Sequence, residues 1–170
     1  MTTAGTALSR VTALLNWFGA WLPQLVLRVL LAWEFWEAGV QKHRGANWFA
    51  DIHERFPFPF SAVPVDVSWT LATWTELLAP ILLVLGLGTR MAGIALSILT
   101  IVAIASVHWP SQWQSLGDLL KGYVISDDGY GNFKLPLLFL AMLLPLILSG
   151  PGRLSIDRLL ERWYSARRRP

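Results

Sequence analysis

The chain contains no cysteine, which removes disulfide relays, iron–sulfur ligation and thiolate zinc sites together. Any redox role must borrow its chemistry from a bound group. Histidine is scarce as well: His43, His53 and His108 are the whole set, and they show no paired spacing of the kind zinc and haem sites use. His108 ends an apolar run and the other two lie in a loop, so axial ligands at depth are missing and no metal is expected. The start, Met1 to Leu8, carries no Lys or Arg. A cleaved signal peptide wants a basic stretch ahead of its apolar run, so this segment is expected to be retained. No basic stripe with interleaved aromatics is present, which argues against nucleic acid as a partner. Asp127-Asp128-Gly129 lacks the spaced oxygens of a calcium loop and reads as a turn.

What the chain has instead is apolar length. Its 170 residues suit one domain, 1–170, and 54% of them are hydrophobic, with a mean hydropathy of +0.47, more than an ordinary soluble domain carries. The apolar residues come in blocks rather than in short amphipathic periods. A helix rises about 1.5 Å per residue and needs roughly 20 residues to cross a hydrocarbon core of about 30 Å. The blocks at 21–40, 69–87, 91–109 and 135–149 are therefore expected to be membrane spans. The expected fold is an all-α membrane protein, a bundle of four transmembrane helices. The last block is the shortest and holds Pro136 and Pro145, of which Pro145 is expected to kink or end the helix.

The flanks read differently. Leu8, Val11, Leu14, Leu15 and Phe18 recur at near-helical spacing beside polar Ser9, Arg10, Thr12 and Asn16, as in an N-terminal interfacial helix. Ser149-Gly150-Pro151-Gly152 stops the last span. After it, Leu154, Leu159, Leu160, Trp163 and Tyr164 alternate with Arg153, Asp157, Arg158 and Arg162, forming a basic amphipathic tail suited to anionic headgroups. With an even number of spans both termini share a side. That side collects Arg10, Arg90, Arg153, Arg158, Arg162 and Arg167 to Arg169, which makes it the cytoplasmic one, with the membrane crossed several times.

Most of the ten tryptophans suit an aromatic belt, since Trp17, Trp21, Trp36, Trp48, Trp69 and Trp109 sit near expected span ends. Trp33 and Trp74 lie deeper and are candidates for the wall of a ligand site. More informative are the charges inside the spans: Arg28, Glu34 and Glu37 in the first, Glu76 in the second. Burying such groups costs several kcal/mol, on the order of a large mutational effect, unless they are paired or neutralised. Glu34, Glu37 and Gln41 are three and four residues apart, so they share a helix face that is expected to point into the bundle. By depth, Glu34, Glu37, Lys42, Glu76 and His108 gather in the outer half, with Arg28 too deep on the inner side to touch Glu37. Two readings stay open: a network that fixes helix packing, with Glu37 on Lys42 and Glu76 on another donor, or a pocket whose carboxyl groups exchange protons. In the second, Glu34, Glu37, Glu76 and His108 would be the catalytic set, and Trp33, Trp74, Lys42 and Arg28 would hold a ligand.

A long external loop, 41–67, contains Trp48, Phe49, Phe56-Pro57-Phe58-Pro59-Phe60 and Pro64 and looks like a lid, stiffened by its prolines. The second, 110–134, carries the Asp-Asp-Gly turn.

Several of these segments together resemble the DoxX family: Arg28 followed by Phe35-Trp36-Glu37-Ala38-Gly39 and Lys42; Glu76 ahead of Leu83-Val84-Leu85-Gly86-Leu87-Gly88-Thr89-Arg90; and Gly150-Pro151-Gly152-Arg153-Leu154-Ser155-Ile156-Asp157. Gly86 and Gly88 permit a tight inner turn, Thr89 can cap the third helix, and Arg90 can anchor it to phosphates. The resemblance implies a small bacterial membrane protein associated with quinone-linked oxidoreductase systems, as in the small subunit of a thiosulfate:quinone oxidoreductase, or with oxidative-stress complexes or the biosynthesis of metal-binding peptides. It implies no covalently bound cofactor and a quinone as the ligand. The alternative is a non-catalytic anchor or assembly factor. The partners expected are the bilayer and either a partner protein subunit or further copies of the chain.

Overall fold

The structure is a computed structural model that describes residues 3–167; Met1, Thr2, and Arg168 and Arg169 of the basic tail lie outside the described residues. It is all helical, with no strand among the described residues. Seven α-helices follow one another: α1 (Thr3–Gly19), α2 (Leu22–Arg44), α3 (Val65–Leu85), α4 (Thr89–Ala103), α5 (Leu116–Lys121), α6 (Lys134–Ser149) and α7 (Ile156–Arg167). Three helical stretches are long and apolar enough to cross a membrane, Leu8–Arg44, Val65–Leu85 and Thr89–His108, while Lys134–Ser149 is apolar but shorter.

Helix limits follow local chemistry. Pro23 stands in the first turn of α2, where its missing N–H is harmless, and Gly45 ends that helix in extended backbone. Gly86 closes α3 in the left-handed conformation, which glycine adopts without the penalty a side chain brings. Pro145 does not end α6, which runs on to Ser149; the packed neighbours hold a backbone that has lost one hydrogen bond. α4 continues as a π-helical turn, Ile104–His108, closed by Trp109 N–H donating to the Ile104 carbonyl at 2.8 Å.

α2 packs on α3, α3 on α4, α4 on α6 and α6 back on α2, so four helices surround one core. Leu31, Phe35, Ala79, Leu83, Ala92, Leu96, Leu143 and Leu146 fill it. Outward positions are apolar too: Val29, Leu71, Ile94 and Leu144 are all exposed, as in helices solvated by lipid rather than water. The loop expected at 41–67 is shorter, 45–64, because α2 and α3 extend into its ends; it forms three short 3-10 turns, and its Phe49 and Phe56 are buried. Its His53–Arg55 turn lies against Ile104–His108, so the loop covers one end of the bundle.

Candidate functional site

The polar groups form two centres at opposite ends of α2. Arg28 and Lys42 are separated by about 21 Å along the helix at 1.5 Å per residue. Arg28, Leu31, Ala32, Phe35 and Gly39 are the buried residues of α2, and Lys42 continues their stripe at helical spacing.

At the first end Arg28 is 1% exposed and donates four hydrogen bonds to main-chain carbonyls. Nε reaches Leu83 O at 2.6 Å, Nη2 reaches Val84 O at 2.6 Å, and Nη1 reaches Pro151 O at 2.9 Å and Leu154 O at 2.6 Å. Its acceptors are the last carbonyls of α3 and those of the segment that follows α6. Helix ends leave such carbonyls without intrahelical partners and carry the negative end of the dipole, so a guanidinium there is neutralised without a carboxylate in contact. A side chain at Gly86 would come within 2.8 Å of Arg28 Nη2, so this turn requires glycine. Asp157 completes the clasp. Its carboxylate accepts from Gly88 N–H at 2.9 Å and Thr89 N–H at 3.3 Å, and its own N–H donates to Gly86 O at 3.0 Å. Asp157 therefore caps α4 from a distant part of the chain. The expected Thr89 cap does not form; the Thr89 hydroxyl is buried without a hydrogen-bond partner.

At the second end Lys42 Nζ contacts both oxygens of Glu76, at 2.9 and 2.8 Å, and the Glu76 side chain is 3% exposed. The partner expected for Lys42 was Glu37; the antiparallel course of α2 and α3 brings Glu76 to the same depth instead. A Cβ on Gly39 would lie 2.9 Å from the Glu76 carbonyl carbon and oxygen, so glycine lets the two helices approach closely beside the pair. At the end of the π-helical turn, His108 Nδ1 lies 2.7 Å from Asn132 Oδ1, while Asn132 Nδ2 donates to Ile125 O at 3.1 Å and Asn132 N–H to His108 O at 3.0 Å. The outward bond of the amide turns its oxygen to the ring. His108 Nδ1 is then the donor and Nε2 the atom left to accept. π-helical turns of this kind are frequent at functional sites.

The structure does not bring the whole expected set together. Lys42 and Glu76 meet. Glu34 and Glu37 are exposed on the face of α2 away from the core, and neither forms an ion pair among the described residues. Their shared spacing correctly placed them on one face, but the stripe from Arg28 to Lys42 occupies the inward one. Trp33 and Trp74, at 70% and 51% exposed, stand on the outside and wall no interior cavity. Trp74 does meet a ring, that of His43 across the α2–α3 seam, with centroids 6.3 Å apart. Arg28 belongs to the opposite end from Lys42, Glu76 and His108. Among the described residues no group of three or more His, Asp or Glu is placed to hold a metal.

Outside the bundle, α5 is capped by Ser115, whose oxygen accepts the Asp118 N–H. Lys121 donates to Asp118 at 2.8 Å and lies over the Tyr130 ring at 4.5 Å. The hydrogen bonds from Lys121 and then from Ser115 hold the Asp118 carboxyl below the usual range. Asp127 accepts the Gly129 and Gly131 N–H groups at 2.8 and 3.0 Å, the expected turn.

A family model described as DoxX matches residues 24–109, which run from the start of α2 through Arg28 and the Lys42–Glu76 pair to the end of the π-helical turn. An uncharacterized protein of Haemophilus influenzae is 44% identical over 146 residues, covering 86% of this chain and 88% of that protein. No solved structure matches significantly. The chain belongs to the DoxX family.

Proposed function

We propose that this chain is a bacterial inner-membrane protein of four crossings, with both termini in the cytoplasm, that seats a partner membrane subunit of a redox or stress system against the outer face of α2. The fourth crossing is supported by what α6 joins. Asn132, just before it, meets His108 at the end of the π-helical turn, and Leu148, near its other end, accepts from Arg90 at the start of α4, at 3.3 Å. α6 thus runs alongside α4 and its π-helical turn together despite its 16 residues, which amount to about 24 Å. A bilayer thins locally to meet a short helix at modest cost.

The observation that carries the functional reading is the outward position of Glu34 and Glu37. Glu34 lies about 12 Å along α2 from Lys42, at a depth where lipid is the default neighbour. A charged side chain at the centre of a bilayer costs about 3 kcal/mol on insertion scales. The core charges spend their bonding on each other or on helix ends. These two carboxyl groups have no such use and are the ones a partner helix bearing Arg, Lys, His or hydroxyl donors at that depth would satisfy. Substituting Glu34 and Glu37 by Leu together should dissolve the native assembly on a blue-native gel without lowering the thermal stability of the isolated chain. An assembly of unchanged size would reject the reading.

A second reading is favoured by the His43–Trp74 contact, a half-open aromatic seam near the Lys42–Glu76 pair. There a quinone ring could stack on Trp74 with protons handled nearby, as the quinone-linked relatives implied by the resemblance would require. Trp74→Ala should then reduce the quinone that co-purifies in mild detergent, whereas Glu34→Leu should not.

A further inference from the structure

A groove of about 1060 Å³ opens at the Arg28 end, between α7 and the ends of α2, α4 and α6. α7 borders it and is tied to the bundle at Asp157, whose carboxylate accepts the Gly88 and Thr89 N–H groups and whose own N–H donates to Gly86 O. The groove lies at the helix termini, hence at headgroup level if α2, α3 and α4 cross the membrane. That is the one assumption taken from the reading above, and it holds whichever partner α2 binds.

The charge in the groove is uneven. Arg90, Arg153 and Arg158 line it together with Asp157 and Glu161. The Asp157 carboxylate is spent on two N–H groups of the α4 start, and Glu161 on Arg158 at 3.1 Å. Arg90 and Arg153 have no carboxylate partner among the described residues, so two guanidinium groups face the groove without neutralisation. Gln24 also lines it, and its Oε1 is buried with no hydrogen-bond partner. An acceptor left unmet in such a place wants a donor from whatever fills the groove. Ala20, Met91, Leu160 and Tyr164 supply apolar wall beside these polar groups.

We propose that this groove binds one anionic phospholipid whose headgroup carries a hydroxyl, as in a phosphatidylglycerol. The phosphodiester sits between Arg90 and Arg153, the headgroup hydroxyl donates to Gln24 Oε1, and the upper acyl chains run along Met91 and Leu160 beneath α7. Guanidinium and phosphate match as planar donor fork and tetrahedral acceptor. α7 holds the lipid in place and is in turn held to the bundle by it.

Native mass spectrometry of the full chain in mild detergent tests this, with titration by dioleoylphosphatidylglycerol, dioleoylphosphatidylmethanol and dioleoylphosphatidylcholine. The phosphatidylmethanol keeps the single negative charge and lacks the hydroxyl. The expected order of affinity is phosphatidylglycerol, then phosphatidylmethanol, then phosphatidylcholine, with one lipid per chain. Arg90→Gln and Arg153→Gln, both exposed positions that should fold normally, should each weaken phosphatidylglycerol binding roughly fivefold. Gln24→Leu should make phosphatidylglycerol and phosphatidylmethanol equal. Equal retention of phosphatidylglycerol and phosphatidylcholine, or unchanged binding in both arginine variants, would overturn the site. Equal binding of phosphatidylglycerol and phosphatidylmethanol by the unsubstituted chain would remove the hydroxyl contact. Displacement of the lipid by millimolar inorganic phosphate would assign the groove to a soluble anion and overturn the lipid proposal.

Discussion

Replacing Arg28 by Met removes the clasp while keeping a long, flexible side chain in the core. Four hydrogen bonds disappear, but the loss is not four equal parts. Leu83 O keeps the Gly86 N–H at 3.1 Å, which leaves Val84, Pro151 and Leu154 with carbonyls deprived of the guanidinium. A buried polar group left unmet costs about 1–3 kcal/mol, so three sum to roughly 3–9 kcal/mol. Water entering at the end of the bundle recovers part of this, and removal of one member of a buried charged arrangement costs about 3–5 kcal/mol. That lower part of the range is the expected loss. For a chain of this size about 2–4 °C of midpoint accompanies each kcal/mol, so a drop of roughly 10 °C in thermal unfolding in mild detergent should follow. Arg28→Lys keeps the charge but gathers its donors at one atom, which cannot span carbonyls of two separate segments; its midpoint should fall between the two. A midpoint for Arg28→Met within about 2 °C of the unsubstituted chain, less than one kcal/mol on the same scale, would refute the clasp as a stabilising element.

Gly39→Ala places a methyl 2.9 Å from the Glu76 backbone and should destabilise by about 1–3 kcal/mol in the same assay, whereas Gly19→Ala, with nothing within 4 Å, should be neutral. Lys42→Met or Glu76→Leu alone leaves a buried charge and should cost about 3–5 kcal/mol, while the double substitution should recover most of it; a double-mutant cycle measures the difference. Asp118 lies outside the membrane and its carboxyl is held low by Lys121 and Ser115. A depressed acid stabilises above its ordinary value and loses that contribution as pH falls through the lowered one. Hydrogen exchange at α5 should therefore stay slow through the ordinary carboxylate range and quicken only in stronger acid; quickening already at the ordinary value would contradict the Lys121 contact.

The long helices were legible as apolar runs: the blocks at 21–40 and 135–149 correspond to α2 and α6 within a few residues. Facing was not. Spacing puts Glu34, Glu37 and Gln41 on one side of a helix but cannot say which way that side points. The competing stripe from Arg28 through Gly39 to Lys42 was interrupted by residues that look polar or small. Lys42 and Glu76 are 34 positions apart; equal depth on adjacent antiparallel helices was the available signal. The role of Arg28 was hidden because its acceptors are main-chain carbonyls, which no residue type announces. Asp157 was visible as part of a motif, yet its capping of α4 depends on a fold that returns the chain to the α3–α4 turn. Gly86 was the readable part, since a tight turn with a positive φ of 66° demands glycine.

What the outer face of α2 touches decides the proposed role. A photo-activated crosslinking residue placed at Glu37, and separately at Leu71, a 60% exposed position on α3, can be irradiated in native membranes. A discrete heavier protein adduct from position 37 that is lost when Glu34 is changed to Leu, with none from position 71, is the predicted result. Lipid adducts alone at position 37, or the same protein adducts from both positions, would contradict it.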